Sequence, residues 1–297
     1  MTPLIVEVRR DGVLEAVHRV HAVAVRDGAV VREAGDAGLT CFMRSSSKPL
    51  QALPLVRARD DLTHEDIAIA CASHRATEEQ LDAARALLKK ANASEDDFEL
   101  GLQEGRPPHK IYNNCSGKHA GMLALCDVNN WPKRGYHESQ HPVQQACAEA
   151  HAEAAQTDQA ELATGNDGCG VVTFAMPLER MALAFANLPT LPHAQRITQA
   201  MRAKPHLVGG ADGADVLLMQ HPDPSRQLVA KGGAEGLLCG VLSDATGFAI
   251  KSADGAGRAL GPSAAAFLAR LGADVPRLYE LPVANSRGEN VGAIRVE

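Results

Sequence analysis

The sequence of 297 residues is poor in aromatic side chains, which make up 3% of it. Platforms on which nucleic-acid bases could stack are therefore scarce, and the basic residues form no run that would bind phosphate backbones or membrane surfaces. No apolar run approaches the about 18 residues that a membrane-spanning helix requires. The formal net charge is -6, with both signs well mixed. These absences exclude nucleic-acid and membrane partners and favour a small-molecule substrate.

Signals for export and for disulfide formation are also missing. The N-terminal residues 1–12 contain no basic segment followed by a long apolar stretch, as a secretory signal would. The 7 cysteines are odd in number and lack the spacing of a disulfide framework. We therefore expect reduced thiols and a cytoplasmic protein.

Strand patterns lie at both ends of the chain, with helical patterns between them. Strands are predicted at 4–9, 13–21, 23–26 and 29–32, with Asp-Gly turns at 11–12 and 27–28, and again at 227–231, 237–242, 247–251 and 292–296. Helices are predicted after Thr77, which forms a capping-box pattern with Gln80, from Ser116, which can cap its helix, and at 141–155, with Pro142 in the first turn. Further helices are predicted at 178–188, 194–203 and 263–271. This order predicts an α/β fold in which one antiparallel sheet is built from both termini and packed by helices. We expect a single catalytic unit, 1–297, with a helical subdomain near 45–205.

Ser45 and Lys48 form the pattern Ser-x-x-Lys. One helical turn brings positions i and i+3 onto the same face, so the hydroxyl and the amine can meet. A serine is a poor nucleophile until a base removes its proton, and lysine serves as that base when burial lowers its pKa. The alternative is a serine-rich helix cap followed by a solvated lysine. The pattern alone is therefore weak evidence for catalysis.

Two further segments carry similar residue types. Cys71-Ala72-Ser73-His74 joins an apolar run to a capped helix, where a serine and a histidine could serve a site. Its alternative is a turn over a buried cysteine. Lys231 ends a predicted strand and precedes two glycines, as in the lysine strand of serine β-lactamases, where glycine lets substrate approach. Its alternative is a solvated lysine in a hairpin turn.

Cysteine occurs in two clusters of polar residues, at 113–119 and at 166–170. Thiolate and imidazole are ligands that zinc prefers, so Cys115 and Cys169 could belong to a zinc site. Neither cluster has Cys-x-x-Cys spacing, and buried structural cysteine is the alternative.

Together, these segments resemble the serine–lysine L-asparaginases (class 3, rhizobial type), the family also called asparaginase II. The matching motifs occur in the family's order and span nearly the whole chain. They are His18–His21, Arg44–Pro49, Cys71–His74, Asn114–His119, Asp167–Cys169 and Ala230–Glu235. Asn-Cys-Ser-Gly-Lys-His is highly specific for the family, and the other motifs gain weight from their order.

The resemblance implies a fold similar to that of serine β-lactamases and glutaminases, and also a homodimer. It implies two serine–lysine pairs, a metal site and several residues near the substrate. The pairs are Ser45 with Lys48 and Ser73 with Lys231; the zinc ligands are Cys115, Lys118 and Cys169; the residues near the substrate are His74, His119 and Asp167. The zinc ion would be structural or orienting.

The expected reaction is hydrolysis of L-asparagine to L-aspartate and ammonia. Ser45 is expected to attack the amide carbon after Lys48 takes its proton, with Ser73 and Lys231 relaying a proton to the ammonia. Which pair supplies the nucleophile stays open. Arg44 is expected to bind the substrate α-carboxylate with its planar fork, and a surface salt bridge is the alternative.

Two other functions compete with this interpretation. A glutaminase or a β-lactam-acting serine hydrolase shares the Ser-x-x-Lys pattern. Glutamine is one methylene longer than asparagine, and a binding pocket discriminates between two such substrates by only ~1–3 kcal/mol. The Asn-Cys-Ser-Gly-Lys-His and Asp-Gly-Cys motifs are not signatures of those enzymes. A zinc- or thiol-based sensor with the same fold would bind a partner and release no ammonia. The presence of both serines and both lysines argues against a sensor.

Overall fold

The structure is a computed structural model that describes residues 1–220 and 228–297. Its larger sheet contains β1 (Leu4–Arg10), β2 (Val13–Arg26), β3 (Ala29–Ala34), β7 (Val229–Gly233), β8 (Leu237–Val241), β9 (Gly247–Ser252), β10 (Glu280–Ala284) and β11 (Asn290–Val296). The strand order is β10-β11-β1-β2-β9-β8-β7, with β3 also paired to β2. A smaller sheet contains β4 (Thr40–Phe42), β5 (Ala163–Asn166) and β6 (Val172–Pro177), in the order β4-β6-β5.

Most helices lie between the two groups of strands in the chain. They are α1 (Lys48–Gln51), α2 (Leu53–Ala58), α3 (His64–Ala70), α4 (Glu78–Lys90), α5 (Ser116–Asn129), α6 (Pro142–Ala155), α7 (Leu178–Asn187), α8 (Gln195–Ala203), α9 (Pro205–Val208), α10 (Ala214–Met219) and α11 (Leu260–Ala269). A 3-10 turn, Arg44–Ser47, leads directly into α1. No helix in the described ranges is long and apolar enough to cross a membrane.

The two chain ends meet in the larger sheet, as predicted. Strand β1 pairs with β2 on one side and with β11 on the other, both antiparallel, and Val6 lies opposite Val296. The prediction of an antiparallel sheet built from both termini and packed by helices is therefore confirmed.

Strand β2 is continuous where the sequence predicted two strands. Its first half pairs with β1, and its second half pairs with β9 and β3. Ala22, which separates the two predicted strands, is itself paired in the sheet. The pairing partners therefore change along β2 without a break in the strand. The edge strand β10 and the smaller sheet were not predicted from the sequence. For the predicted strand 227–231, Gln227 lies outside the described residues and the remainder belongs to β7.

The sequence correctly predicted how α4 and α6 begin. Thr77 and Gln80 form the predicted capping box, and His141 caps α6 with Pro142 in its first turn. The start of α5 at Ser116 was also predicted, but the proposed cap was wrong. Cys115 occupies the N-cap position, but its side chain makes no capping hydrogen bond. The Ser116 hydroxyl donates to the carbonyl of Ile111 (2.9 Å) and does not cap the helix.

Apolar side chains on the two faces of the larger sheet belong to two cores. Val23, Val25 and Ala249 pack in the larger core, which the helices between the two strand groups complete. Ala22, Phe248 and Ile250 point to the opposite face and pack with α11. Alternation along the strands thus lets one sheet serve both cores. The larger core side is also the side on which the candidate site lies.

Candidate active site

The Arg44–Ser47 turn lies against strand β7. The Ser46 hydroxyl donates to the main-chain carbonyl of Lys231 (3.0 Å). A Cβ atom at Gly233 would lie 2.8 Å from both the Met43 carbonyl oxygen and the Ser46 Oγ. The sequence interpretation assigned the glycines after Lys231 to substrate approach. Gly233 instead permits close packing between β7 and the turn that carries Ser45.

The Lys48 amine is fully buried and donates to three acceptors. These are the carbonyl of Ala72 (2.5 Å), the Ser73 hydroxyl (3.0 Å) and the Cys115 sulfur (3.4 Å). Burial lowers the pKa of Lys48, and the nearby positive charges of Lys118 and Lys231 add to this effect against the opposing influence of Cys115. Such an amine loses its proton more readily than a solvated lysine, as a catalytic base must.

Ser45 and Lys48 do not form the predicted side-chain contact. Within residues 1–220 and 228–297, the Ser45 hydroxyl makes no hydrogen bond to Lys48, although the Lys48 backbone N–H donates to the Ser45 carbonyl. The half-buried Ser45 belongs to the 3-10 turn, while Lys48 begins α1 and extends toward Ser73. The observed serine–lysine pair therefore joins Ser73 to Lys48.

Ser73 lies in the extended segment that follows α3. Its backbone N–H donates to the carbonyl of Val208 (2.9 Å), at the end of α9. The next residue, His74, donates its backbone N–H to the carbonyl of Asn114 (3.1 Å). Main-chain hydrogen bonds on both sides thus fix the segment from which the Ser73 hydroxyl reaches Lys48.

Lys231 also has a different partner from the one predicted. Its amine donates to Asp215 Oδ2 (3.0 Å) and to the carbonyl of Gly232 (2.9 Å). Lys231 and Asp215 are 1% and 8% exposed, so this is a buried ion pair. The predicted pair of Ser73 with Lys231 is not formed among the described side chains.

Sequence reasoning did not select Asp215. Its carboxylate accepts backbone N–H groups from Gly232 and Val216, each at 2.9 Å, in addition to the amine of Lys231. Burial alone would raise the pKa of Asp215, but Lys231 and these N–H donors lower it below the usual value. A buried lysine requires a compensating charge, and this requirement was the available signal for an acidic residue shortly before β7.

Arg44 and Asp167 form a second ion pair at the site. Arg44 Nε donates to Asp167 Oδ1 at 2.7 Å, and the backbone N–H of Gly168 donates to the same oxygen at 2.8 Å. Burial opposes ionisation of Asp167, but Lys118 and Arg44 outweigh it and lower the pKa. In the described ranges Arg44 uses only Nε for side-chain hydrogen bonds, so its two terminal NH2 groups face no acceptor at hydrogen-bond distance.

Arg44 also has an unusual backbone conformation. Its φ angle is +50°, in the left-handed region, which costs a residue with a Cβ on the order of 1–3 kcal/mol. The Arg44 N–H donates to Thr173 Oγ1 (3.1 Å), which helps to hold this conformation. Strain of this kind is retained where the surrounding structure requires one side-chain direction. Here that direction is toward Asp167.

Cys115, Lys118 and Cys169, the residues that the resemblance assigns to a metal site, are close together and buried. The Lys118 amine donates to the Cys169 sulfur at 2.9 Å. A hydrogen bond from Cys169 lowers the pKa of Cys115 well below its usual value, and the charges of nearby lysines add to the lowering. All cysteines of the chain are free thiols, as expected from the sequence.

This donor set fits the chemistry of zinc. Two sulfur ligands and a nitrogen ligand suit the ion, provided that Lys118 loses its proton on binding. Across the described residues, no three side chains of His, Cys, Asp or Glu are grouped so that they could hold a metal. The third ligand of a metal at this position would therefore be the Lys118 amine.

The two histidines expected near the substrate are both covered by protein. His74 Nδ1 accepts the backbone N–H of Ala76 (3.1 Å), so Nε2 carries the proton and donates to Ser116 Oγ (2.8 Å). Burial lowers the pKa of His74 to about 4, with contributions from Lys48 and Arg106, and the ring is neutral near pH 7. His74 thus connects the Ser73 segment to the start of α5.

His119 lies deeper, with no exposed surface. Its Nδ1 is 2.6 Å from the Tyr136 hydroxyl, and Tyr136 also accepts the backbone N–H of Glu99 (3.0 Å). His119 Nε2 has no hydrogen-bond partner in the part of the chain that the structure describes. Burial lowers the pKa of His119 well below its usual value, with Lys118 and Lys48 contributing. In this structure both histidine rings are therefore enclosed by protein.

Comparison with a family model agrees with the motif pattern. A family model described as L-asparaginase II matches residues 6–296. A crystal structure of Mglu in its native form is 16% identical over 86% of this chain and 64% of its own, with a TM-score of 0.48. A crystal structure of SurE is 14% identical over 90% of this chain and 74% of its own, with a TM-score of 0.42. This chain thus spans less than two thirds of the Mglu chain. No curated protein matches the sequence.

Proposed function

Because this chain belongs to the L-asparaginase II family, which implies an amidohydrolase, we propose that it hydrolyses the side-chain amide of L-asparagine to L-aspartate and ammonia. The hydrogen bond of 3.0 Å from the Lys48 amine to the Ser73 hydroxyl supports the proposal most directly. It joins a nucleophilic oxygen to a buried base, which is the contact that serine-dependent amide hydrolysis requires.

In the proposed route Ser45 attacks the amide carbon, and its proton passes through the Ser73 hydroxyl to Lys48. The proton then leaves with ammonia, and water hydrolyses the aspartyl ester with the same groups acting in reverse. Direct attack by Ser73 is a second candidate, favoured by its contact with Lys48. The terminal NH2 groups of Arg44 would bind the substrate α-carboxylate as a planar fork while Asp167 holds Nε.

Ammonia release tests the activity, and trapping tests the nucleophile. Wild-type protein is supplied in parallel with L-asparagine and L-glutamine, and faster release from asparagine is expected. A reaction stopped in acid should carry an aspartyl adduct on Ser45, whereas an adduct on Ser73 would select direct attack. A glutaminase would prefer glutamine, and a zinc or thiol sensor would release ammonia from neither amide. Either result would refute the proposal.

Cys115, Lys118 and Cys169 would hold a zinc ion, which supplies charge and order to this side of the site. The serine–lysine route is chemically complete without it, so we expect turnover to survive treatment with a strong chelator. Metal content gives the independent measurement: dialysed wild type should retain about one zinc per chain, and Cys169→Ala should lose it. Cys126→Ala, which removes a buried thiol elsewhere in the core, is the control and should keep the metal.

We also propose a homodimeric, cytoplasmic protein in which residues 1–297 form a single catalytic unit. The family resemblance supports the dimer, and the sequence composition supports the location. Sedimentation measures the assembly, and limited proteolysis followed by assay tests the single unit. Activity in a separated fragment would contradict it.

A further inference from the structure

The carboxylate of Asp215 holds the site lysine of β7, Lys231, through its amine and also binds the backbone N–H of the next residue, Gly232. Oδ2 accepts from the Lys231 amine (3.0 Å) and from the backbone N–H of Gly232 (2.9 Å), while Oδ1 accepts from the N–H of Val216 (2.9 Å). Charge-assisted hydrogen bonds of this kind are stronger and more directional than neutral ones. The amine of Lys231 therefore has a fixed direction.

The surroundings of Asp215 leave little room for another arrangement. A Cβ at Gly213 would lie 2.7 Å from Oδ1, and a Cβ at Gly232 would lie 3.3 Å from Oδ2. The backbone of the loop before α10 and the backbone of β7 therefore both pack against the carboxylate. Both partners are almost fully buried, so each charge requires the other.

The same ion pair is connected to the turn that carries Ser45. The Lys231 carbonyl accepts the Ser46 hydroxyl (3.0 Å), while the adjacent Gly232 N–H is bound by Asp215. Displacement of the carboxylate would therefore move β7 at the point where it contacts the turn. Shifts of this size near reacting groups have large effects on rate.

We propose that Asp215 is a positioning residue, which holds the amine of Lys231 beside its own carboxylate and the Gly232 carbonyl and so keeps it from pairing with Ser73. Lys231 is then a fixed positive charge beside Lys48 and not the second base that the motif pattern implied. The inference rests on the proposed function and assigns a role to a residue outside the family motifs named above.

A double-mutant cycle tests the inference with kcat, KM and the melting temperature. Asp215→Asn should lower kcat about 100-fold with KM changed less than about threefold, and Asp215→Glu should recover most of the loss. Lys231→Met should cause a similar loss. Asp215→Asn combined with Lys231→Met should be no slower than the worse single variant, because Asp215 acts through Lys231. The double variant should also melt at a higher temperature than Lys231→Met, since it no longer contains a buried unpaired carboxylate.

Asp66→Asn is the matched control, because Asp66 is a buried carboxylate paired with Lys90 at 2.5 Å. It should lower the melting temperature and leave kcat unchanged. Multiplicative losses in the double variant, or wild-type kcat in Asp215→Asn, would overturn the inference. If Asp215→Asn does not fold, the test is the comparison of Lys231→Met with the double variant that carries both changes. Wild type without ammonia release would refute the proposed function and this inference together, whereas active wild type with an unaffected Asp215→Asn refutes only the inference.

Discussion

The amine of Lys48 donates a hydrogen bond of 3.0 Å to the hydroxyl of Ser73, which lies 25 residues further along the chain. The nearer serine of the Ser-x-x-Lys pattern, Ser45, contacts this lysine only through its backbone carbonyl. The base and the hydroxyl that it can deprotonate therefore come from two different segments, α1 and the chain after α3.

Replacement of Ser73 by Ala should lower kcat for asparagine by at least about 100-fold, because the proton path to Lys48 is removed. Stability should change little, since Ser73 is only half-buried. Ser263→Ala removes a buried hydroxyl that has no partner among the described residues, and it should keep wild-type kcat. A Ser73→Ala enzyme with most of its activity would eliminate both proposed proton routes.

Arg44→Lys should raise KM for asparagine by about tenfold, which corresponds to a loss of about 1.4 kcal/mol in binding. Lysine keeps the charge beside Asp167 but cannot present two parallel N–H groups to a carboxylate. The control is Arg57→Lys, because Arg57 forms a bidentate pair with Glu153 (2.7 and 3.0 Å) on another part of the surface. Equal KM values for Arg44→Lys and wild type would mean that another residue binds the α-carboxylate.

Gly233→Ala should impair both folding and turnover. The new methyl group would overlap the Met43 carbonyl and the Ser46 hydroxyl at 2.8 Å, and overpacking of this kind costs about 1–3 kcal/mol of unfolding free energy. Because the displaced turn carries Ser45, kcat should fall as well. Gly101→Ala has nothing within 4 Å of the added Cβ and should match wild type in urea denaturation. Wild-type stability and kcat in Gly233→Ala would refute this account of the packing.

Acid should destabilise the protein through His151, which is buried on α6 beside Phe174 (ring centroids 4.4 Å apart). Burial lowers the pKa of His151 to about 4, despite its hydrogen bond to the Cys147 carbonyl. The unfolded chain, with a histidine pKa of about 6.5, therefore binds a proton first as the pH falls. The stabilising contribution of the neutral ring is complete above about pH 6.5 and is lost as the pH falls toward 4, by up to about 1.4 kcal/mol per pH unit.

Urea denaturation of wild type and His151→Phe at several pH values between 7 and 4 measures this effect. The substitution should flatten the loss of stability with acid, because the phenyl ring takes up no proton in either state. Parallel curves for wild type and His151→Phe would show that other groups cause the loss.

Local sequence signals determined several features directly. The Asp-Gly turns, the capping box at Thr77 and the proline after His141 act over a few residues, and the structure contains each of them. That Cys115, Lys118 and Cys169 lie close together was implied only by the order of the family motifs. Asp215 had no motif to identify it, because its role depends on a lysine brought beside it by β7.

The sequence by itself therefore determined the family and the sheet built from both termini, and it predicted two serines and two lysines at the candidate site. Only the tertiary structure decided the partners of the two lysines: Lys48 with Ser73, and Lys231 with Asp215, which the sequence did not mark. It also decided that His74 and His119 are buried away from solvent. The physical reason is that a buried amine binds whichever acceptor the packed elements bring within about 3 Å, and spacing along the chain does not specify that neighbour.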